Sequence, residues 1–433
     1  MDYFKKTIKD GITIHFLKNK FKTDFSVVFL SIPLCKDTIT KNALLPAILK
    51  SGSKNYPTFQ ILTENLEMLY GASFDCGLDK TGDNVVLKFY IEGINDNYLP
   101  KPNNNLIKSI NILLDIVFNP LNEENKFNDQ YVEIEKRNLA LIINSIKDDK
   151  DEFSYQRCIE LMYIGCEYGL SKYGKIEDLK NINSRNLFDY YKNLINTAKI
   201  DIIVSGDFNN DEIEKYFNEN KFIKNLKPRT EPIIINNFKK EIKENIEKEN
   251  IVKEQYDVTQ GKLVIGLDIL PNEFKDFRFI TILYNAILGN GVNSKLFQIV
   301  REKEGLAYTT KSEYIVQKNN LVIRCGIEFE NFEKTIKLIK KLLKDMEKGE
   351  FSDEDLRKAK DFIISGIDLI DEEQDSQILF KFGQELSKLE MSIEEYKENI
   401  EKVTKKEICK LAQNIQINTI YFLENGGEDA SNN

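Results

Sequence analysis

Two stretches of the chain repeat one another. "LTENLEMLYGASFDCGLDKTGDNVVLKFYIEGI" begins at Leu62, and "LFQIVREKEGLAYTTKSEYIVQKNNLVIRCGIE" begins at Leu296. Each reads as an amphipathic helix ending at a glycine, a strand, a polar turn, an apolar strand and a stop at Gly-Ile. The glycines hold register: Gly305 lies 234 residues after Gly71, and Gly326 lies 233 after Gly93. A long helical pattern follows in each copy, Leu106 to Pro120 in the first and Phe332 to Gly349 in the second. Another comes next, around Val132–Ile146 and around Asp353–Leu369. Near the end of each copy stands a short apolar strand, "KIDIIVSGDF" and "INTIYFLENG". One matched helix–strand pair arises by chance; this many elements in one order at constant offset do not. The chain reads as a duplicated unit of roughly 200 residues, with too few copies for a solenoid.

Within a copy, Ser73–Asp79 and Val85–Glu92 are close enough through "KTGD" to pair antiparallel. The expected class is therefore α+β: two homologous halves, each a mostly antiparallel sheet covered by helices. A length of 433 residues suits two domains or more rather than one small core. The expected division is an N-terminal domain over 1–225, a charged linker over 226–255 and a C-terminal domain over 256–433. The linker expectation rests on "NFKKEIKENIEKENIVKEQ" from Asn237, dense in charge and short of large apolar residues. The tail "ENGGEDASNN" after Leu423 is expected to be disordered.

The formal net charge of -9 argues against a nucleic-acid surface, which needs a basic excess. No run of about 18 apolar residues is present, so no membrane span is expected. The N-terminus, "MDYFKKTIKDGITIHF", has no apolar core followed by a small-residue cleavage site. The six cysteines (35, 76, 158, 166, 325 and 409) are scattered without a Cys-x-x-Cys and read as free thiols of a cytoplasmic protein. There is one histidine, His15, in the expected strand "GITIHFLKN", where it reads as a packed or surface residue. A single imidazole excludes H-E-x-x-H, its inverted form and any site that needs two.

The stretch "LGNGVNSKLFQIVREKEGLAY", Leu288 to Tyr308, has the glycines and the Ser-Lys pair of a phosphate loop in the wrong places. Gly289 and Gly291 are two apart, and Lys295 follows a serine. The dinucleotide fingerprint fails as well, since no third glycine stands at Asn293 or Ser294. The expected structure is a tight loop with Asn293 capping a helix from Ser294 to about Lys303, ended by Gly305. Leu296, Phe297, Ile299 and Val300 would form its buried face. Arg301 then falls in the last turn and Tyr308 opens the next strand. A sharp reversal at Gly305 would bring both to one corner. There an Arg fork can meet a peptide carbonyl, and a Tyr hydroxyl adds a second donor. The plainer account is a helix-terminal Arg favoured by the dipole and a half-buried strand Tyr. Glu302 and Glu304 read as solvated charges, and "KDDKDEF" (Lys147–Phe153) as a solvated loop.

The duplicated architecture, "SKLFQIVREKEGLAY", "VSGDF" at Val204–Phe208 and "ILKSGSKNYPT" at Ile48–Thr58 together resemble the insulinase/pitrilysin-type zinc peptidases. The resemblance covers nearly the whole chain and is to the short bacterial form related to mitochondrial processing peptidase. Active members carry H-x-x-E-H on a helix of the first half, two histidines for zinc and a glutamate to activate water. Counting back from Gly52 puts that motif on Ala43-Leu44-Leu45-Pro46-Ala47. The ligand positions become Ala43 and Ala47, and the base position becomes Pro46. A third ligand, a glutamate in active members, would fall near Asn144-Ser145.

The resemblance thus implies no metal and no catalytic residue in this chain. In this family two halves or subunits close like a clamshell around a peptide, one carrying zinc, the other supplying an Arg and a Tyr that hold the substrate. Arg301 and Tyr308 match those positions. More narrowly, the chain resembles degenerate bacterial members linked to elongation factor P modification. The implied function is a non-catalytic subunit of a heterodimeric zinc metalloendopeptidase that binds peptide substrate, with zinc on a homologous partner bearing H-x-x-E-H. The resemblance leaves the oligomeric state of the isolated chain open, self-association in the partner's absence included. The alternative is a non-proteolytic peptide-binding or scaffold protein, as the core subunits of respiratory cytochrome complexes resemble this family. An independent enzyme with new chemistry finds no supporting triad, phosphate loop or metal cluster.

Overall fold

A computed structural model describes residues 2–229 and 249–426. Most of the charged stretch expected as a linker, 230–248, and the end of the acidic tail, 427–433, lie outside the described residues. The described chain divides into two compact units. One takes residues 2–144, 170–229 and 370–389; the other takes 145–169, 249–369 and 390–426.

The first unit is built on β1 (Asp2–Lys9), β2 (Ile12–Lys18), β3 (Thr23–Pro33), β4 (Ser73–Thr81), β5 (Asn84–Ile94) and β6 (Lys199–Gly206). They lie in the order β1-β2-β6-β3-β5-β4. The expected hairpin is present: β4 and β5 pair antiparallel, with Thr81 opposite Asn84. The one parallel pair is β2 with β6, so the sheet is mixed though mostly antiparallel. Strands β2 and β6 are buried almost continuously because both faces of the sheet are covered. On one face Val28, Leu30, Leu87 and Ile202 meet the helices Ile39–Lys50, Asn105–Phe118 and Ser184–Thr197. On the other, Leu17, Val27, Phe29 and Ile203 pack against Ile378, Phe382 and Leu386. These three stand one turn apart on the helix Gln374–Ser387, so a segment late in the chain completes the first sheet's core. The rings of Phe29 and Phe382 stack at 3.8 Å between centroids, 9° from parallel.

The second unit holds β7 (Asn250–Tyr256), β8 (Gly261–Ile269), β9 (Ala307–Ile315), β10 (Asn320–Ile327) and β11 (Ile415–Asn425). Their order is β7-β11-β8-β10-β9, with β7 and β11 the parallel pair. This repeats β2-β6-β3-β5-β4 strand for strand, so the duplication read from the glycine offsets appears again as topology. Here too a helix from elsewhere in the chain joins the core. Lys150–Met162 sets Cys158, Ile159 and Met162 against Val264, Val322 and Tyr421. Gly266 on β8 makes room for it: a Cβ at that position would stand 2.2 Å from Met162 Sδ. The helix Lys405–Ala412 packs against both Arg278–Leu288 and Phe332–Lys348.

The acidic run Lys147–Phe153 is not the expected loop. Asp148 ends one helix and Lys150 begins the next. Asp149 caps the second, its carboxylate accepting from Asp151 N and Glu152 N at 3.1 Å each. The run places carboxylates where a helix N-terminus favours them. Among the described residues no helix is long and apolar enough to cross a membrane. All six cysteines are free thiols.

Candidate functional site

The Leu288–Tyr308 stretch folds as loop, helix and strand. Ser312 N, on β9, donates to Gly289 O at 2.9 Å. A Cβ on Gly289 would stand 2.5 Å from Ser312 Oγ. Lys295 pairs with Asp355 at 2.7 Å rather than standing ready for a phosphate. The expected Asn293 cap is corrected. Asn293 is exposed, and the side-chain acceptor at this end is Ser294 Oγ, 3.4 Å from Phe297 N. Ser294 N is itself bonded back to Gly291 O, so the chain enters the helix late, at Leu296. Leu296–Lys303 is wound as a π-helix, and Glu304 N donates to Ile299 O five residues back at 3.0 Å. Leu296 and Val300 are fully buried and Phe297 and Ile299 half-buried, as the pattern predicts. That turns Arg301, Glu302 and Glu304 outward. Gly305 reverses the chain at φ +61, a left-handed conformation that favours glycine.

Arg301 is exposed. Its Nε lies 3.5 Å from Glu302 Oε1, and its guanidinium lies 4.6 Å from the Phe297 ring centroid. A planar cation resting on a ring by one face leaves the donors of its edge that do not face Glu302 available to a ligand. Tyr308, at the start of β9, is also exposed, and its hydroxyl donates to Glu328. By accepting that bond, Glu328 holds the phenol above its ordinary value. Nothing in the sequence singles out Glu328, which stands just past the Gly-Ile that ends the repeat. Arg301 and Tyr308 stand on either side of Gly305 along the chain, and the structure gives each its own partner, Glu302 and Glu328.

In the first unit, Ala43, Pro46 and Ala47 lie on the helix Ile39–Lys50. Ala43 and Ala47 are half-buried and one turn apart; Leu44, Leu45 and Pro46 are buried in the core. None of the three offers a donor to a metal. Pro46 also lacks a backbone N–H, and its carbonyl accepts from Cys76 Sγ at 3.3 Å. Burial pushes that thiol up to about 12, so it is no thiolate at neutral pH. Asn144 and Ser145 stand exposed near the end of the helix Asp129–Asp148, both neutral side chains. These residues do not fit zinc, which takes thiolate, imidazole or carboxylate donors. Among the described residues no group of three or more His, Cys, Asp or Glu could hold a metal ion. His15 is fully buried with both ring nitrogens engaged: Nε2 lies 2.9 Å from Asp201 Oδ1 and Nδ1 2.9 Å from the Tyr3 hydroxyl.

The "VSGDF" stretch does structural work. Asn95 Nδ2 bridges Asp24 Oδ1 at 2.8 Å and Asp207 O at 3.0 Å. Burial, with Asp96 adding repulsion, pushes the Asp24 carboxyl up to about 7.

Comparison with known proteins places the chain. Residues 181–362 match the model of the peptidase M16 inactive domain. A Bacillus subtilis protein named "Probable inactive metalloprotease YmfF" is 34% identical over 432 residues, 98% of each chain. Among solved structures, a conserved protein from Enterococcus faecalis superposes with a TM-score of 0.89 at 25% identity over 99% of this chain and 100% of that one. A peptidase M16 inactive domain from Pseudomonas fluorescens superposes at 0.78 with 15% identity over 98% of each, which speaks to fold alone. With a relative 34% identical over 98% of each chain and no zinc donor at the matched positions, the chain belongs to the M16 peptidase family, as an inactive metalloprotease homologue.

Proposed function

We propose that this chain is the non-catalytic, peptide-holding subunit of a heterodimeric zinc endopeptidase of the cytoplasm. Its partner would be a homologous subunit that carries H-x-x-E-H and the zinc. One contrast carries the reading: the helix Ile39–Lys50 has no zinc donor at Ala43, Pro46 or Ala47, yet Arg301 and Tyr308 stay exposed at the Gly305 corner. A guanidinium there can donate to a substrate carbonyl, and the Tyr308 phenol, whose one proton goes to Glu328 in the free chain, can add a second donor when a substrate draws it from that carboxylate. Neither group generates a nucleophile. Their part is to bind and orient a peptide whose scissile bond is attacked at the partner's metal.

The test is reconstitution. The tagged chain is recovered from its own cells, an H-x-x-E-H homologue that follows it is purified, and hydrolysis of a fluorogenic peptide is followed with each alone and both together. Hydrolysis is expected only from the pair. Arg301→Ala is expected to slow the pair by ~10–100-fold without loss of assembly. Full activity of the variant pair would refute the role of Arg301. A stable pair that hydrolyses nothing would favour the scaffold alternative.

A further inference from the structure

We infer that the second unit docks on the anionic headgroup surface of a lipid membrane through a row of lysines on the helix Phe332–Lys348. This stands apart from the peptide-holding reading. The inward face of the helix is apolar: Phe332, Ile336, Ile339, Leu342 and Met346 are buried. On the outward face Lys334, Lys337, Lys341, Lys344 and Lys348 are all exposed, at alternating intervals of three and four. That spacing sets them on one stripe, about 21 Å long at the rise of an α-helix. Glu333 is the one other exposed residue of this helix. Neighbouring elements add positive charge at both ends. Lys253 on β7 stands 4.0 Å from the Phe332 ring centroid. Past the other end, Lys405 donates to Phe351 O, and Lys406 is exposed.

Stability does not account for the row. A helix dipole favours a cation in the last turn, where Lys348 stands, and disfavours one in the first, where Lys334 stands. Among the described residues Lys334, Lys337 and Lys348 form no ion pair. Lys341 lies 4.0 Å from Asp345 and Lys344 3.1 Å from Glu347, yet their side chains remain 71% and 68% exposed. Other surfaces of the chain mix the signs: on the helix Asp353–Asp368, Arg357 pairs with Glu354 at 2.6 Å and with Asp361 at 2.7 Å. Nor does the duplication impose the row, since the counterpart helix of the first unit, Asn105–Phe118, holds one lysine, Lys108. The form of the stripe selects its partner. It is the convex crest of a helix and carries lysine alone, without arginine or an aromatic ring. Nucleic-acid bases are read by arginine forks and stacked rings. Protein interfaces are depleted in lysine, whose ammonium resists losing its water. An anionic headgroup layer needs no register and leaves the ammonium groups hydrated. Each lysine near such a surface strengthens binding by about fivefold, and the cytoplasmic leaflet presents that charge.

The experiment sediments the full chain with vesicles of phosphatidylcholine, alone or with about one third phosphatidylglycerol, at about 0.05 M and about 0.3 M salt. Binding is expected to the anionic vesicles only, and the higher salt is expected to weaken it by roughly tenfold or more. Neutralising the stripe (K334Q, K337Q, K341Q, K344Q and K348Q together) is expected to cost at least about tenfold at low salt. The same change of net charge among exposed lysines of the first unit (K54Q, K101Q, K108Q, K180Q and K215Q together) is expected to cost less than about threefold. The thermal melts of both variants are expected to match wild type. Equal losses in the two variants, equal binding to both kinds of vesicle, or no binding by wild type overturns the stripe as a membrane surface. So does binding of a labelled DNA duplex that the stripe variant loses while vesicles stay unbound, which would make the partner a nucleic acid.

Discussion

Replacing Asp24 with asparagine should stabilise the protein at alkaline pH and leave it unchanged in acid. Asp24 is 4% exposed and accepts from Asn95 Nδ2 at 2.8 Å. Gly206 comes so close that a Cβ there would stand 2.0 Å from Asp24 Oδ1. Burial is the main reason that the carboxyl rises from 3.8 to about 7. The folded value lies above the unfolded one, so the folded state holds the proton more tightly. Its relative stability is then greatest below the unfolded value and is lost as pH rises from about 4 through 7. The distance from 3.8 to about 7 corresponds to roughly 4 kcal/mol. Asparagine keeps the shape, accepts the Asn95 bond through its amide oxygen and never ionises. Asp24→Asn should thus be about 2–4 kcal/mol more stable than wild type at pH 8 and nearly equal to it near pH 4. Urea denaturation at both pH values measures this directly. If the variant is no more stable than wild type at pH 8, the buried-proton account is wrong.

Two further outcomes follow from the helix Gln374–Ser387, and both are read by denaturation. Phe382→Ala removes the ring stacked on Phe29 and should cost about 3–5 kcal/mol; a loss below about 1 kcal/mol would mean the helix is not part of that core. Glu385 is held down to about 2, because Lys199 at 2.9 Å and Lys5 at 3.1 Å outweigh the opposing effect of burial. A carboxylate depressed in this way stabilises above its ordinary value and loses that contribution as pH falls from about 4.5 through 2. Glu385→Gln should therefore lower stability at pH 7 by about 1–3 kcal/mol and flatten the acid limb; an unchanged acid limb would contradict the pairing.

Much of this was legible in the residues because local rules sufficed. "KTGD" between two β-rich runs marked the β4–β5 hairpin, which forms with Thr81 opposite Asn84. The apolar pair Leu296 and Val300, one turn apart, already turned Arg301 outward. Where neighbours share a propensity, local rules fail. Asn293 and Ser294 are both capping residues, and the choice of Ser294 depends on a turn closed by its backbone bond to Gly291. "KDDKDEF" has the composition of a solvated loop, yet Asp149 uses its carboxylate to start a helix. Glu328 meets Tyr308 because β9 and β10 are antiparallel neighbours, with Ile327 opposite Ala307, and no short window contains both strands.

The residues by themselves determined a doubled α+β chain and the loss of the family's zinc chemistry. A single histidine cannot supply two imidazoles in any register. Only the tertiary structure decided which sheet each amphipathic helix completes. Ile378, Phe382 and Leu386 declare an apolar stripe that must be buried, and Cys158, Ile159 and Met162 declare another. The first stripe closes the core of β2, β3 and β6, and the second that of β8, β10 and β11. The hydrophobic effect is non-directional, so a stripe states how much area leaves water and not the surface it meets. That surface is chosen by shape, as when Gly266 leaves open the space that Met162 fills.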